Sequence, residues 1–479
     1  MFSDFDSWGE SAFWPGAASK FGSTKPQDGA RSKSAFQVEV TSGMRASLLG
    51  LQLQEAQVIE NKLLTQPDFP AKRIINFQLP SDMTYQCGDY LAVLPVNPRS
   101  VVRRAIRRFN LPWDATLRIQ KSSQKIGTAT IPLDTPVSAF ELLSTYVELS
   151  QPASKRDLNV LADAAATDAD LQAELQYIAS SPSRFTKDVV NKRTSPLDLL
   201  VRYPSISLPI GDFLAMLPPM RVRQYSISSS PLAGPSECSI TFSVVSAPSP
   251  AAPSPSPVEL AEERYLGVAS SYLSELQPGE RAHVIVRPSH SGFKPPTDLK
   301  TPIIMACAGT GLAPFRGFIM DRAEKIRGRS NGQDLPNEDK PAKALLYIGC
   351  RTQGKDDIHA AELAEWAQQG AVEIKWAYSR PADGSPSRHV QDVMREDRQK
   401  VVEMFEQGAR IYVCGSTGVG NGIREVCKEI YLERRRELRQ QARERGEDVP
   451  EQEDDENTTA EKFLEHMKTK ERYATDVFT

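Results

Sequence analysis

Arg223-Gln-Tyr225-Ser226-Ile-Ser-Ser-Ser230-Pro231 sets a cation, an aromatic ring and a run of hydroxyls close together. A guanidinium can fork onto a diphosphate. Two residues along a strand, Tyr225 shares a face with Arg223 and can stack on a flat ring. The apolar run Ile303-Ile-Met-Ala-Cys307-Ala is followed by Gly309-Thr310-Gly311 and then Pro314. This reads as a strand, a tight turn and a helix start. Gly309 and Gly311 let the backbone approach a pyrophosphate at a helix N-terminus, and Pro314 suits the first helical turn. Proline stands where a dinucleotide fingerprint has its third glycine, so the turn alone also admits a plain packing role. Arg410-Ile-Tyr-Val-Cys414-Gly415-Ser-Thr-Gly418 repeats the pattern. Cys414 is either a small buried apolar group or a soft side chain at a strand end. Tyr265-Leu-Gly267-Val268-Ala269-Ser270-Ser271 reads as a loop entering a helix, another N-terminus suited to an anion.

The elements that must carry these residues follow from periodicity. After residue 301, strands predicted at 302–308, 344–350, 372–378 and 410–414 alternate with helices at 314–327, 359–369, 390–405 and 419–444. Such alternation predicts a doubly wound parallel sheet, whose ligands bind beyond the carboxyl ends of the strands. Cys307, Cys350, Ser379 and Cys414 fall at or just past such ends. Earlier, β-patterned runs at 35–40, 52–59, 73–79, 90–94, 222–226, 239–245 and 281–286 predict a small antiparallel barrel, with turns such as Cys87-Gly88-Asp89 between them. From about 100 to 217 the period is helical, so a helical block is inserted into the β domain. The fold class is thus α/β plus β-barrel. The proline- and serine-rich run 246–257 predicts a surface loop. Residues 1–34 show no sustained period, and Phe5, Trp8, Phe13 and Trp14 there suit a segment lying against some surface.

Composition narrows the function. A length of 479 residues gives a soft prior of roughly two to four domains. Lys+Arg 58 against Asp+Glu 61 lacks the basic excess of a dedicated nucleic-acid binder. The six cysteines form no CxxC pair, which argues against a disulfide framework and a zinc ribbon, so no metal site is expected. No apolar run approaches the ~20 residues that span a bilayer. The N-terminus has early acids and no positively charged n-region, so it does not read as a secretory signal. A cytoplasmic protein is expected.

Several motifs, in order, carry a resemblance. They are Arg223-x-Tyr225-Ser226, Gly267-Val268-Ala269-Ser270, Cys307-Ala-Gly-Thr-Gly-Leu-Ala-Pro-Phe-Arg316, Tyr347-Ile-Gly-Cys-Arg351, Tyr378-Ser379-Arg380, Tyr412-Val-Cys414-Gly415 and Arg472-Tyr473-Ala-Thr-Asp476-Val-Phe478-Thr479. Together they resemble the FAD/NADP(H) half of the diflavin reductases, the family of NADPH–cytochrome P-450 reductase. The likeness extends to the reductase half of fungal self-sufficient monooxygenase–reductase fusions that hydroxylate fatty acids, and it covers about 35–479. It implies a ferredoxin–NADP reductase-type fold, with an FAD-binding barrel over 35–300, a helical connecting insert at about 100–217 and an NADP(H)-binding domain over 301–479. Residues 1–34 resemble a linker or the tail of an FMN domain. That flavodoxin-like domain is not found before residue 35, so the chain is expected to be a fragment. FMN and haem would belong to the full-length protein, whose FMN domain and haem monooxygenase are the partners expected in cis.

The resemblance also implies roles. Arg223, Tyr225 and Ser226 hold FAD, with Thr241 and Ser243 on the next strand, and Gly267, Val268, Ala269 and Ser270 donate to its diphosphate. Gly309, Thr310, Arg351, Ser379, Arg380, Arg388 and His389 receive NADPH. Ser226, Cys414 and Asp476 form a hydride-transfer constellation, and Phe478 covers the flavin until the nicotinamide displaces it. The chain departs from the family in several places. Phe478 replaces a tryptophan. Ser387 and His389 stand where the family has Lys and Tyr, with Arg388 between them. No aromatic lies in 246–263 to cover the FAD adenine, which leaves Tyr265 as the nearby candidate. Arg99, Arg103, Arg104, Arg107 and Arg108 mark either a solvated helix face or a dock for an acidic FMN domain. Two further readings remain open: a stand-alone FAD-dependent NAD(P)H reductase of a small electron carrier, and a non-catalytic scaffold that keeps the fold.

Overall fold

The computed structural model describes residues 45, 52–120, 131–248, 264–289, 292–330, 340–447 and 455–478. The N-terminal segment 1–34, the run 35–40 and most of the proline-rich loop lie outside them. The strands are β1 (Gln54–Leu63), β2 (Lys72–Gln78), β3 (Tyr90–Val93), β4 (Thr116–Arg118), β5 (Pro136–Ser138), β6 (Arg223–Ser226), β7 (Glu237–Ser243), β8 (Ser246–Pro248), β9 (Arg264–Leu266), β10 (Arg281–Arg287), β11 (Ile303–Ala308), β12 (Ala344–Cys350), β13 (Glu373–Tyr378), β14 (Arg410–Ser416) and β15 (Tyr473–Phe478). One sheet has the order β6-β3-β10-β1-β2-β7 and another the order β13-β12-β11-β14-β15. The chain divides into two compact units. The first takes the chain up to Val58, Ala92–Arg223 and Val244–Ile285; the second takes Ile59–Leu91, Gln224–Ser243 and Val286–Thr479.

In the first unit, β1 pairs antiparallel with β10, Gln54 opposite Val284 and Gln57 opposite Arg281. The predicted helical block is present and starts several of its helices with side-chain caps. Ser154 accepts from Asp157 N at 3.1 Å while Asp157 accepts from Ser154 N at 2.7 Å, opening the helix Lys155–Ala164. Ser195 and Asp198 repeat this box at Pro196–Arg202. Each such cap contributes about 1 kcal/mol. Leu158, Leu161, Leu171 and Leu175 recur at helical spacing and pack with Leu142, Leu143 and Phe213 in one buried cluster. The basic helix Arg99–Arg108 is not a uniform solvated face. Arg104 pairs with Asp198 at 2.7 Å, and Arg108 donates to the carbonyls of Leu200 and Ile206, so these two brace the unit internally. Arg103 and Arg107 are exposed.

In the second unit, β2 pairs antiparallel with β7, and the five-stranded sheet is parallel throughout. Along β11, Ile303, Met305 and Cys307 enter one apolar cluster with Leu312, Phe315 and Phe318, while Ile304 and Ala306 enter another with Val413, Ile423 and Val426. Both faces are covered, which is why the run reads as continuously apolar rather than alternating. The helix predicted at 390–405 is two, Val390–Glu396 and Arg398–Glu406. They meet at Asp397, whose carboxylate accepts from Tyr347 Oη at 3.3 Å and pairs with Lys375 at 3.5 Å. Two elements escape the sequence reading, the helix Glu456–Thr469 and β15. Their signals are an Asp455 cap and apolar Ala460, Leu464 and Met467 at helical spacing. Among the described residues, no helix is long and apolar enough to cross a membrane.

Candidate active site

In the second unit three strands converge on one carboxylate. β14 and β15 run parallel with Cys414 opposite Asp476. Asp476 Oδ2 accepts from Ser226 Oγ at 2.9 Å, and Cys414 Sγ lies 4.0 Å from the same oxygen. The constellation implied by the resemblance is thus assembled, and Asp476 sits on a strand rather than on a free tail. A phenol also reaches it: Tyr90 Oη donates to Asp476 Oδ1 at 3.0 Å. Tyr90 begins β3 and escaped the sequence reading, since nothing in its local pattern links it to a residue so far along the chain. Cys414 is buried, and that burial, with Asp476 adding to it, pushes its thiol well above the ordinary range, so it stays a neutral, soft side chain. Its carbonyl explains Gly311. A Cβ at Gly311 would stand 2.3 Å from Cys414 O, so this turn must be glycine if β14 is to approach it. Gly309 takes φ +57°, a conformation few other residues adopt. Tyr225 meets Phe242 edge to face at 5.8 Å.

Beside this turn the second unit holds a cleft of about 450 Å³, lined among others by Ser243, Gly309, Thr310, Arg351, Ser379, Arg388, His389 and Phe478. Most of the predicted NADPH residues are therefore neighbours in space. Ser243 Oγ and Thr310 Oγ1 share a hydrogen bond at 3.3 Å. Ser379 donates from N and Oγ to Cys350 O, and Arg380 N donates to Arg351 O at 2.8 Å, which ties two strand ends together. The Arg380 side chain is exposed. Arg388 pairs with Glu396, and His389 N donates to Asp392 at 2.9 Å at the start of a helix. Phe478 ends β15 and is 45% exposed, so its ring is accessible at the cleft. Lys72 also lines the cleft and was not foreseen. It pairs at 3.1 Å with the buried Asp356, which accepts from Arg351 N and Thr352 N as well.

Thr241 is not among the residues that line this cleft. It is buried, and its hydroxyl bonds Ser228 Oγ at 3.2 Å and His359 Nε2 at 3.1 Å. It thereby joins a polar network of the second unit. Arg316 forks onto Glu362 at 2.6 and 3.0 Å, and His359 Nδ1 bonds Glu362 at 2.7 Å. Burial alone raises the Glu362 carboxyl, but the hydrogen bonds from His359 and Arg316 outweigh it and hold it at about 2. Burial lowers His359, so it is neutral in the fold. Both shifts have the same sign for stability. His359 stabilises fully above 6.5, its ordinary value, and loses that contribution as pH falls; Glu362 contributes above 4.5 and loses it as pH falls towards 2. Urea midpoints should therefore decline in two stages on acidification, and Glu362→Gln should remove the lower stage. A parallel decline in the variant would show that Glu362 is not its source.

In the first unit, Arg223 is oriented by a carboxylate. Its two terminal nitrogens reach Glu148 at 2.8 and 2.8 Å, and Glu148, 1% exposed, also accepts from Arg221 N at 3.0 Å. A bidentate pair of this kind fixes the plane of the guanidinium. Gly267 precedes the helix Val268–Glu275, where a Cβ would meet Ser270 Oγ at 2.7 Å and Val245 Cβ at 2.8 Å. Val268, Ala269 and Ser270 are buried, and Ser270 Oγ accepts from Val245 N at 3.0 Å. No side chain caps the first turn of that helix. The Tyr265 ring lies under the Arg193 guanidinium at 4.8 Å.

Comparison with known proteins gives domain matches and similar chains. Residues 52–256 match the FAD binding domain family and residues 305–425 the oxidoreductase NAD-binding domain family. All of the chain aligns at 64% identity with a bifunctional cytochrome P450/NADPH–P450 reductase of Aspergillus oryzae, covering 42% of that protein. A protein of the same name from Fusarium oxysporum is 42% identical, with 41% of it covered. A self-sufficient cytochrome P450 monooxygenase of Aspergillus terreus is 39% identical over 435 residues, 90% of this chain and 39% of that one. The chain spans about two fifths of the length of these curated relatives. With an FAD-binding domain and an oxidoreductase NAD-binding domain matched in order, the chain has a ferredoxin–NADP reductase-type fold and is similar to the reductase half of the fungal bifunctional enzymes.

Proposed function

We propose that the chain is the NADPH-oxidising part of a longer monooxygenase system. It takes a hydride from NADPH, holds FAD, and passes single electrons to an FMN domain and then to a haem monooxygenase of the fatty-acid hydroxylase type carried in cis. The observation that carries this reading is the Asp476 carboxylate held by Ser226 beside the Cys414 thiol. The proposed domains are an FAD barrel over 35–300 with the helical insert at about 100–217, and an NADP(H) domain over 301–479. A cytoplasmic location accords with six buried free thiols.

The residues fit the groups. The uncapped N-terminus after Gly267 leaves backbone donors for a diphosphate, and Arg223 offers it a fixed cation. The glycine turn at Gly309–Gly311 opens on the cleft with the Lys72 ammonium about one contact away, 3.9 Å from a Cβ at Gly309. FAD, when bound, supplies a ring that accepts a hydride and gives electrons up one at a time. Tyr225 offers that ring a stacking surface, and Ser226 presents its hydroxyl. Cys414 guides the nicotinamide with a polarizable, uncharged group. Asp476 sets negative charge where the nicotinamide becomes cationic. Phe478 covers the ring face until the nicotinamide takes its place.

Acceptor choice tests the reading. Loaded with FAD, the chain should reduce ferricyanide rapidly with NADPH and cytochrome c only slowly, because a large haem acceptor draws on the FMN domain. Adding a separately made FMN domain should restore the cytochrome c rate. Rapid cytochrome c reduction with FAD alone would contradict the proposed relay.

A further inference from the structure

Asp476 is held at both oxygens, and the donor at Oδ1 lies outside the constellation that the sequence suggested. Ser226 Oγ binds Oδ2 and Tyr90 Oη binds Oδ1. We propose that Tyr90 is a positioning residue whose phenol fixes the Asp476 carboxylate towards the nicotinamide, an inference that rests on the hydride-transfer reading above.

The turn before Tyr90 is built to aim it. Gly88 has φ +96°, and Phe293 O lies 2.0 Å from where its Cβ would stand. Asp89 is buried; its carboxylate accepts from Gln86 N at 2.8 Å and Ser289 N at 3.3 Å and pairs with Lys294 at 3.5 Å. Asp89 O accepts from Ile227 N at 3.0 Å, next to Ser226. One braced turn therefore sets both donors, each reaching a different oxygen of the carboxylate. Leu91, Ala92 and Val93 are core residues, whereas Tyr90 is only half-buried, so its ring is not needed to fill the core.

The chemistry follows from the donor. The titratable groups facing this carboxylate are Tyr90 and Cys414, with Cys307 behind Cys414. Burial first, and then the charge of Asp476, push the Tyr90 phenol far above its ordinary range, and burial does the same for both thiols. Tyr90 therefore donates throughout the working pH range. Without it the carboxylate is held only through Oδ2 and can turn about its χ2 axis.

The test uses the FAD-loaded chain and stopped-flow reduction with NADPH. Tyr90→Phe should slow the hydride step roughly tenfold, with KM for NADPH nearly unchanged. Tyr90→His, which keeps an N–H donor, should recover part of the lost rate. An unchanged hydride step, or a loss confined to KM, would overturn the role of Tyr90. Asp476→Asn separates the two levels. If it slows the hydride step while Tyr90→Phe does not, only the Tyr90 inference fails; if neither does, the reading of the whole site fails.

Discussion

Asp476→Asn should slow reduction of the bound flavin by NADPH about a hundredfold or more, the usual cost of removing a preorganised electrostatic partner from a transition state. The substitution keeps the shape of the side chain. Its amide can still meet the Ser226 and Tyr90 hydroxyls that hold the carboxylate at 2.9 and 3.0 Å. The difference is the charge. As the nicotinamide gives up its hydride it becomes cationic, so a fixed negative group stabilises the transition state more than the ground state, and the loss should fall on the rate rather than on KM. FAD content and thermal midpoint should stay close to the parent, because Asp476 lies at the end of β15 while Tyr473 and Ala474 carry its core packing. Equal hydride rates in the two proteins would show that the nicotinamide does not react beside Asp476.

The second large effect concerns cofactor choice. Ser379 and Arg380 follow β13, at the carboxyl end of a parallel strand, where a dinucleotide ribose rests in such sheets. Arg380 is exposed and held by its backbone to Arg351 O. Its guanidinium matches a phosphate. Hydrogen bonds to charged groups contribute about 1.5–3 kcal/mol, on the order of a ten- to hundredfold effect on binding. Arg380→Ala should raise KM for NADPH by that factor, leave NADH kinetics nearly unchanged, and barely alter the hydride rate at saturating cofactor. Arg388 lines the cleft but is paired with Glu396, both partly exposed. Such pairs contribute at most about 1 kcal/mol, so Arg388 can exchange Glu396 for a phosphate at little cost. Arg380→Ala with Arg388→Ala should therefore lose more NADPH affinity than the first change alone. An equal loss with NADH and NADPH would place the 2′-phosphate elsewhere.

What the sequence made legible divides along physical lines. β12 falls where periodicity put it, and β11 and β14 lie within a residue or two, because a strand covered on both faces is largely apolar; the edge strand β13 also lies within a residue of its predicted span. The helix Val268–Glu275 was readable from Gly267, since close packing against Ser270 and Val245 leaves no room for a side chain. The break at Asp397 was not readable, because it depends on Tyr347 and Lys375 from other strands. β15 was missed because it lies at the edge of a sheet and only Tyr473 and Ala474 are buried, while Val477 and Phe478 are exposed. Ser226, Cys414 and Asp476 were named from their motifs, but their meeting is a matter of topology. Tyr90 and Lys72 have no local motif, and only the strand arrangement shows what they touch. Thr241 was named from the resemblance, and its buried hydroxyl meets His359, a partner that no local motif shows.

The proposed function turns on hydride transfer from NADPH onto bound FAD at the Asp476 site. Anaerobic stopped-flow mixing of the FAD-loaded chain with NADPH, and with NADPH deuterated at the transferring C4 position, measures that step alone. Rapid bleaching of the flavin's visible absorbance is expected, with a primary isotope effect on its rate and loss of most of that rate in Asp476→Asn. Bound FAD that stays oxidised under excess NADPH would contradict that function.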